Sequence, residues 1–464
     1  MIELAGRDAY VIGLGSHGTG REVARALLAH GARVTVADRK PRAQLTSELA
    51  KLEGLPVTLE LGDEYGSSAA AHDLVILSPG VPLHAPPVRA ARAAGAQVMG
   101  ELELAWHLCP APIVAITGTK GKTTTTTLTG RLLAAAGQPV LVGGNIGDPL
   151  VGIAERARPN DLVVAEVSSF LLEGTRDFRA HVGLLLNLYE DHLDRHGSME
   201  EYLAAKARLF ANQDGTDFAV LNADQPLVAA LARGLRARVL HFGLQPATVA
   251  EGATVVGETI CAVRGGKAEP ICPVSALQVP GRHNLANALA AICVLLALDL
   301  PLEGTEQALR EFPGVPNRLE RVAEVGGVLF VNDSQGTAKQ AVACALEAFA
   351  PRRTVLIAGG RAKVADFADL ARVIAARASA LVVIGEAAQA IAQAAGEAGL
   401  REIQHAPSLP QAVAQAYALA RPDGVVLLSP ACASFDMFEN MEHRGQVFRQ
   451  AVADLKRTEV PDAA

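Results

Sequence analysis

The densest group of residues that could do chemistry is Thr117-Gly118-Thr119-Lys120-Gly121-Lys122-Thr123-Thr124, directly after the apolar run Ile113–Ile116. A strand that ends in a Gly-broken turn and continues into a helix directs backbone N–H groups at one point, where a phosphate chain can sit. Lys122 is placed to neutralise the β- and γ-phosphates, and the Thr123 hydroxyl to bind magnesium. Ile116 stands where a full P-loop has glycine. We therefore predict a nucleotide site, and the alternative is a Gly-rich connection between a buried strand and a Thr-rich helix.

Acidic residues and histidines follow the next two apolar runs. Glu166 comes at the end of Leu162–Val167, before two serines, and oxygen ligands suit a hard cation. The stretch Asn187–His196 holds so many Asp, Glu and His residues that they repel one another unless cations or substrates are present. Both groups predict a metal or phosphate role, although Glu166 could also cap the strand or form an ion pair. Lys206 lies on a helical stretch whose composition alone predicts a solvated lysine.

The elements that must position these residues alternate between strand and helix. Through the first hundred residues, short β-branched runs alternate with Ala-rich segments, which predicts parallel β-α-β units. Gly13–Gly18 fits G-x-G-x-x-G between the first strand and helix, and Asp38 ends the next strand where a ribose-binding acid would lie. The pattern favours a nucleotide crevice, and the alternative is a tight strand-to-helix turn.

A second α/β unit opens near Pro110 with the phosphate loop and changes to short β-rich pieces over Asn222–Gly281. A third unit begins after Phe312–Pro316 and again alternates strands with Ala-rich helices. Polar loops follow its strands on one side of the predicted parallel sheet, where ligands collect. These loops are Asn332–Ser334, Gly359–Lys363 and Ser429–Asp436.

Composition limits the possible functions. The chain has 464 residues, 50% hydrophobic and 20% charged, which predicts two or three globular domains. A net charge of −7 gives no support for a nucleic-acid or membrane-surface partner. The start of the chain has no signal-peptide pattern, and no apolar run reaches the ~20 residues of a membrane helix. We expect a cytoplasmic enzyme that acts on small-molecule substrates.

Taken together, these motifs resemble the Mur ligases over nearly the whole chain, and most closely the members that add D-glutamate to UDP-N-acetylmuramoyl-L-alanine. The resemblance rests on seven stretches in order: Gly118–Thr124, Gly143–Gly147, Glu166–Phe170, Asp191–His196, the helix with Lys206, Gly281–Ala288 and Ser429–Ser434. It implies an α/β protein of three domains, each built on a mostly parallel sheet. These are a Rossmann-like UDP-substrate domain at residues 1–100, a P-loop-type ATPase at 101–312 and a Rossmann-like amino-acid-binding domain at 313–464.

The resemblance also implies a role for each site residue. ATP would be bound by Gly118, Thr119, Lys120, Gly121, Lys122, Thr123 and Thr124, with Asn287 at the adenine, Asp333 at the ribose and Arg318 at the γ-phosphate. Magnesium would be held by Thr123, Glu166, His192 and Lys206, the last as a carbamate. The UDP-substrate would meet Gly15, Ser16, His17, Asp38, Arg39, Ser78, Pro79, Gly80, Asn145 and Ser168. The incoming amino acid would meet Thr337, Lys363 and Ser434, and the catalytic set would be Lys122, Glu166, His192, Lys206 and Arg318.

Four positions depart from the family's usual residues: Leu171 for Gln, Asn317 for His, Gln335 for Lys and Glu439 for Lys. All four concern substrate positioning rather than the phosphate loop. One hypothesis is that Lys339, one helical turn after Gln335, replaces the missing lysine; the alternative is a solvated helix lysine. The other interpretations are a sister ligase that adds another amino acid, a nucleotide-binding oxidoreductase or sensor, and a degraded paralogue kept as a binding protein.

Overall fold

The structure is a computed structural model that describes residues 2–14, 18–362 and 366–459. Its contacts divide it into two compact units, one made of residues 1–276 and 286–309 and the other of residues 277–285 and 310–464. The first unit contains a five-stranded and a nine-stranded sheet, and the second a six-stranded sheet. The predicted α/β class, with three domains on mostly parallel sheets, is confirmed.

The first sheet is entirely parallel, in the order β3-β2-β1-β4-β5. Its strands are β1 (Asp8–Ile12), β2 (Arg33–Asp38), β3 (Val57–Leu61), β4 (Leu74–Leu77) and β5 (Gln97–Gly100), and its helices are α1 (Thr19–Ala29), α2 (Thr46–Ala50) and α3 (Pro86–Ala93). At Gly20 a Cβ would lie 2.8 Å from Leu14 Cα, so only glycine lets α1 approach the end of β1 this closely.

The second sheet has the order β14-β13-β12-β11-β10-β9-β6-β8-β7 and is parallel except for its pairs β12–β13 and β13–β14. Its strands are β6 (Ile113–Thr117), β7 (Val140–Gly144), β8 (Leu162–Glu166), β9 (Val182–Leu185), β10 (Phe218–Asn222), β11 (Arg238–Gly243), β12 (Gly252–Val256), β13 (Thr259–Arg264) and β14 (Lys267–Pro273). Because β6 lies between β8 and β9, the residues that follow these three strands collect at one edge.

The helices of this part of the chain are α4 (Glu101–Leu108), α5 (Lys122–Ala135), α6 (Leu150–Ala154), α7 (Ser169–Glu173), α8 (Leu193–His196), α9 (Met199–Ala207), α10 (Pro226–Ala229), α11 (Arg282–Ala297) and α12 (Thr305–Arg310). Two buried acids of α4 attach it to neighbouring segments. Glu103 accepts the backbone N–H groups of Arg176, Asp177 and Phe178 at 2.8–3.0 Å, and Glu101 accepts that of Val151 at 2.9 Å.

The first sheet is joined to the central one through two glycines. The Gly100 N–H at the end of β5 donates to Gly174 O at 2.8 Å. A Cβ on Gly174 would lie 2.7 Å from Gly100 Cα. A side chain at position 174 would therefore prevent the two backbones from coming this close.

The sheet of the second unit has the order β15-β16-β20-β17-β18-β19 and is parallel apart from the edge strand β15. Its strands are β15 (Glu320–Val325), β16 (Val328–Asn332), β17 (Thr354–Gly359), β18 (Ala380–Ile384), β19 (Ile403–His405) and β20 (Val425–Leu428). Its helices are α13 (Lys339–Ala348), α14 (Ala368–Arg377), α15 (Ala388–Glu397), α16 (Leu409–Ala420) and α17 (Met441–Glu459). Since β20 lies between β16 and β17, the loops that follow these three strands adjoin.

The apolar runs Ile113–Ile116 and Leu162–Val167 form the strands β6 and β8, with small changes at their ends. The strand β1 ends at Ile12, because Gly13 adopts a φ of 90° that turns the chain. The domain boundaries at residues 100 and 312 stay a prediction. Within the described residues, no helix is both long and apolar enough to cross a membrane.

Candidate active site

The loop between β6 and α5 depends on two glycines. Gly118 has a φ of 157° and Gly121 a φ of 82°, conformations that a residue with a Cβ rarely adopts. At Gly118 a Cβ would lie 3.0 Å from Leu186 Cβ, and at Gly121 it would run into the Asn287 side chain. The fourteen-residue helix α5 begins at Lys122, so its free N–H groups face this loop. A backbone cradle of this kind suits the phosphates of ATP.

Two lysines cross the loop. Lys122 Nζ donates to Gly118 O at 2.9 Å and to Thr119 O at 3.1 Å. Lys120 Nζ lies 3.2 Å from Asp191 Oδ2, and the Lys120 N–H donates to the side chain of Asn187 at 2.8 Å. The loop is thus tied to the segment after β9, as its place in the sheet predicts.

Glu166, at the end of β8, lies beside the start of α5. Thr123 Oγ1 donates to Glu166 Oε2 at 2.8 Å, and Asn145 Nδ2 donates to Glu166 Oε1 at 3.1 Å. Glu166 is 3% exposed, and Thr123 is buried too. A hydroxyl and a carboxylate next to a phosphate cradle are the oxygen ligands that Mg²⁺ takes in nucleotide sites. These residues fit the magnesium ion that the sequence implies.

Lys206 is buried, contrary to what its helix alone predicts. The residue is 1% exposed; its Nζ donates to Gly118 O at 3.0 Å and lies 4.5 Å from the centre of the Tyr202 ring. Burial, and then the charge of Lys122, lower the pKa of Lys206 to about 7, whereas Asp191 acts in the opposite direction. A lysine of this kind holds a large neutral fraction near pH 7.

The ring of His192 lies against two aromatic residues. His192 precedes α8 with a φ of 54°, and its ring lies 5.1 Å from Phe170 and 6.4 Å from Tyr202. In the part of the chain that the structure describes, it makes no hydrogen bond to Thr123, Glu166 or Lys206. Its role as a magnesium ligand stays a prediction.

At the end of the first sheet, Asp38 and Ser78 fasten the loop after β1. Asp38 accepts the N–H groups of Leu14 and Lys40, both at 2.9 Å, and Ser78 Oγ donates to Gly13 O at 2.5 Å. Both oxygens of Asp38 therefore carry backbone contacts, which is a structural use that its predicted ribose role did not anticipate. Gly15, Ser16 and His17 lie outside the described residues.

A small cavity lies within the first unit, between the end of the first sheet and the helix α7. Ser78 and Pro79 line it from the first sheet, and Phe170 and Leu171 line it from α7. Ser168, the residue before α7, caps that helix by accepting the Leu171 N–H at 3.3 Å. The predicted residues Arg39 and Gly80 follow β2 and β4 at the same edge of the first sheet.

In the second unit the three predicted polar loops meet. Ser429 Oγ donates to Asp333 Oδ2 at 2.7 Å, and the backbones of Arg361 and Ala433 exchange hydrogen bonds of 3.0 Å. Burial raises the pKa of Asp333 to about 7, although the bond from Ser429 and the charge of Arg318 favour its ionised form. Ser434 is buried in the same group of loops. Thr337 lies between the first of these loops and α13, and Lys363 lies outside the described residues.

Arg444 is the largest fully buried side chain of the described residues, and no motif predicted it. From α17 its guanidinium donates to Ser334 Oγ at 3.0 Å, Ser334 O at 2.8 Å and Cys432 O at 3.2 Å. It thereby fixes the loops that contain Asp333 and Ser434. A polar amphipathic helix near the chain end gives no local sign of such burial.

Three family models match the chain: the Mur ligase MurD-like N-terminal domain over residues 7–100, the Mur ligase middle domain over 116–295, and the Mur ligase glutamate ligase domain over 317–432. A protein of Pelotomaculum thermopropionicum named UDP-N-acetylmuramoylalanine--D-glutamate ligase is 48% identical over 447 residues, covering 96% of this chain and 98% of its own. The chain belongs to the Mur ligase family. A protein of the same name from Geotalea uraniireducens is 44% identical over 98% of this chain and 99% of its own.

Solved structures of Mur ligases share the fold. A UDP-N-acetylmuramate-alanine ligase from Thermotoga maritima matches with a TM-score of 0.63 at 22% identity, over 97% of this chain and all of its own. A MurF ligase from the same organism, in complex with ADP, matches with a TM-score of 0.58 at 17% identity, over 98% of this chain and 96% of its own. Membership of this family makes the chain an ATP-dependent ligase that forms peptide bonds, and excludes the oxidoreductase interpretation.

The hypothesis that Lys339 replaces the usual Mur ligase lysine is wrong in its premise. The helix α13 begins at Lys339, so Gln335 lies ahead of it and the two residues share no helical face. Lys339 Nζ instead pairs with Asp369 Oδ2 at 2.6 Å, and both side chains are more than a third exposed. The structure therefore gives Lys339 the solvated role that was its alternative.

Proposed function

We propose that this Mur ligase joins D-glutamate to UDP-N-acetylmuramoyl-L-alanine and converts ATP to ADP and phosphate, in the cytoplasm and as a monomer. Its support is the agreement of relatives 41–48% identical over nearly the whole chain, all named for this reaction. The site adds the phosphate cradle around Gly118 and Gly121 with Thr123 and Glu166 beside it. The reaction would serve the synthesis of peptidoglycan precursors.

The chemistry requires activation of a carboxylate. The terminal carboxylate of the alanyl group attacks the γ-phosphorus of ATP, and the bond from that phosphorus to the bridging oxygen of ADP breaks. The amine of D-glutamate then attacks the resulting acyl phosphate, loses a proton and expels phosphate as the amide forms. Lys122 and Arg318 would neutralise the phosphoryl oxygens in the first step.

Magnesium would be held by Thr123 and Glu166, with Asn145 orienting the carboxylate through its 3.1 Å hydrogen bond. When bound, the ion would screen the charge of the phosphates from the attacking carboxylate. Thr123 and Glu166 already share a hydrogen bond of 2.8 Å, so a bound ion would compete with that bond for their oxygens.

Lys206 fits the carbamate that the resemblance implies. Only a neutral amine attacks CO₂, and a pKa of about 7 supplies that form at neutral pH. The product exchanges a buried cation near Lys122 for an anion, which removes a repulsion and adds an attraction. We propose that this anion, together with His192, completes the magnesium environment.

The remaining roles follow the family pattern. We propose that Gly15, Ser16, His17, Asp38, Arg39, Ser78, Pro79 and Gly80 bind the UDP moiety and that Asn145 and Ser168 meet the muramoyl-alanine part. Asn287 would contact the adenine and Asp333 the ribose. Thr337, Lys363 and Ser434 would receive the carboxylates of D-glutamate.

The deciding experiment measures phosphate release from ATP and Mg²⁺ with UDP-N-acetylmuramoyl-L-alanine and a panel of amino acids, and identifies the product by mass. Release that depends on D-glutamate, with the matching mass gain, is expected. Release with a different amino acid would identify a sister ligase and make Gln335 a specificity change. Release with none would favour the degraded paralogue, and the variant Lys122→Ala controls for contaminating ATPases.

A further inference from the structure

Arg318 lies in a turn with an unusual backbone. Asn317 before it has a φ of 63° and Leu319 after it a φ of 44°. Asparagine adopts this left-handed region readily, but a leucine there is strained. Strain of this kind persists only where the surrounding contacts hold it in place.

Side chains from the adjacent strands bind the turn from behind. The Asn317 N–H donates to Glu320 Oε2 at 2.8 Å. Asn332 Nδ2 donates to both Asn317 Oδ1 and Glu320 Oε2, each at 2.9 Å. The backbone N–H and the Oδ1 of Asn317 therefore already bond to neighbouring side chains, and the residue is buried.

The last helix, α17, covers this arrangement. Arg449 Nη1 donates to Glu320 Oε2 at 2.9 Å and to Asn317 Oδ1 at 3.3 Å. One guanidinium therefore binds residues at both ends of the turn. One helical turn earlier, a Cβ on Gly445 would lie 2.8 Å from Asn317 Cγ. Glycine at 445 thus lets the helix backbone rest directly on Asn317.

The other side of the turn contacts the loop that contains Asp333. The Leu319 N–H donates to Asp333 Oδ1 at 3.3 Å, and the Gln335 N–H donates to Asn317 O at 3.1 Å. Any shift of the turn would therefore move both Arg318 and Asp333. These are the two residues of this unit that the proposed function assigns to ATP.

We propose that Arg449 is a positioning residue for Arg318. It fixes the left-handed turn through Asn317 and Glu320, so that the Arg318 guanidinium is held ready for the γ-phosphate. The inference rests on the proposed function, in which Arg318 acts on that phosphate. It also gives Asn317 a reason to replace the family's usual histidine, since asparagine suits the positive φ and accepts hydrogen bonds from Asn332 and Arg449.

The test compares the affinities of the full-length protein for Mg-ATP and Mg-ADP by calorimetry without the acceptor substrate, followed by kcat for phosphate release. The Arg449→Ala variant should lose about tenfold in ATP affinity or kcat, the scale of one charge-assisted hydrogen bond. ADP affinity should fall clearly less, because ADP keeps the ribose contact of Asp333 but lacks the γ-phosphate that Arg318 meets. Arg449→Lys should recover part of the loss. The control is Arg457→Ala on the same helix, which breaks an exposed pair with Asp454 and should change neither affinity nor rate.

The double variant Arg449→Ala/Arg318→Ala separates positioning from stability. If Arg449 acts through Arg318, the double variant should be no weaker than Arg318→Ala alone. Equal losses for ATP and ADP, or a lower melting temperature with unchanged kcat and affinities, would overturn the inference and leave Arg449 a structural residue. If Arg449→Ala does not fold, the same comparison of ATP and ADP affinities is made with Arg449→Lys and Glu320→Gln.

The outcome also distinguishes the inference from the function on which it rests. A wild-type protein that binds no ATP would refute the proposed function. In another outcome the wild type binds ATP, and Arg318→Ala loses more affinity for ATP than for ADP, whereas Arg449→Ala does not. That result would refute only the role of Arg449.

Discussion

Replacing Lys206 with methionine should make the first unit more stable and the enzyme inactive. The pKa of Lys206 falls from 10.5 to about 7, chiefly through burial. A shift of about 3.5 units at about 1.36 kcal/mol each means that the charged amine costs about 5 kcal/mol below pH 7. Methionine fills a similar volume without charge but loses the hydrogen bond to Gly118 O, worth about 1 kcal/mol. We expect a net gain of about 2–4 kcal/mol at pH 7.

The pH dependence of this gain identifies its cause. Between pH 7 and 10.5 the unfolded state keeps a proton on Lys206 that the folded state has lost, so the stability of the wild type rises with pH. The slope is about 1.4 kcal/mol per pH unit, and the methionine variant lacks it. The advantage of Lys206→Met should therefore shrink by about 2 kcal/mol from pH 7 to pH 9, because at pH 7 about half of the folded-state amine is already neutral.

The assay is urea unfolding in CO₂-free buffer, followed by the fluorescence of Trp106, the single tryptophan of the chain and a residue of the first unit. The control is Lys267→Met, a change of the same type at an exposed position on β14. An advantage that stays constant from pH 7 to pH 9, or a Lys206→Met protein less stable than wild type at pH 7, would refute this account of the buried amine.

Three other changes test separate parts of the molecule. Glu166→Gln keeps the shape but removes the charge beside Thr123, so phosphate release should fall about 10–100-fold and need more Mg²⁺, seen by titration; an unchanged Mg²⁺ requirement would contradict its role. Thr129→Val removes a buried hydroxyl without a hydrogen-bond partner and should raise the melting temperature by about 2–4 °C at unchanged activity. The control Thr127→Val breaks the 2.9 Å hydrogen bond from Thr127 Oγ1 to Thr123 O and should not raise it. Asp333 has a raised pKa of about 7, so the folded state holds a proton that the unfolded state loses above 3.8, and stability falls as pH rises through this window. Asp333→Asn should flatten that fall in calorimetric scans at pH 5 and 8, and an unaltered slope would show that another group causes it.

The phosphate site could be predicted from sequence because its determinants are local. The loop at Gly118–Thr124 follows directly on an apolar run, and Glu166 comes at the end of the next buried run. Parallel sheets bring such strand ends together, so the contact between Thr123 and Glu166 follows from general topology. No information about distant packing was needed.

The buried charges could not be predicted for the opposite reason. Lys206 is 88 residues from its hydrogen-bond partner Gly118, and the helix around it reads as solvated. Arg444, which is buried, and Arg449, which is partly buried, lie on a polar helix whose charges look exposed until β15 and β16 are placed beneath it. Only the tertiary arrangement decides which charged residues of a helix enter the protein interior. The same limit applies to the two backbone hydrogen bonds that Asp38 accepts, because the contact with Leu14 joins residues far apart in the sequence.

The paired glycines at positions 100 and 174 have a consequence for how this chain can evolve. Family models treat the first sheet and the central domain as separate modules, but their backbones touch where neither residue has room for a methyl group. A recombination event that replaced the segment before residue 101 would have to supply a residue at position 100 that fits against Gly174. A side chain at either position would prevent the two backbones from meeting. The contact therefore sets a condition on exchange: a first module taken from another chain must again place a glycine against Gly174.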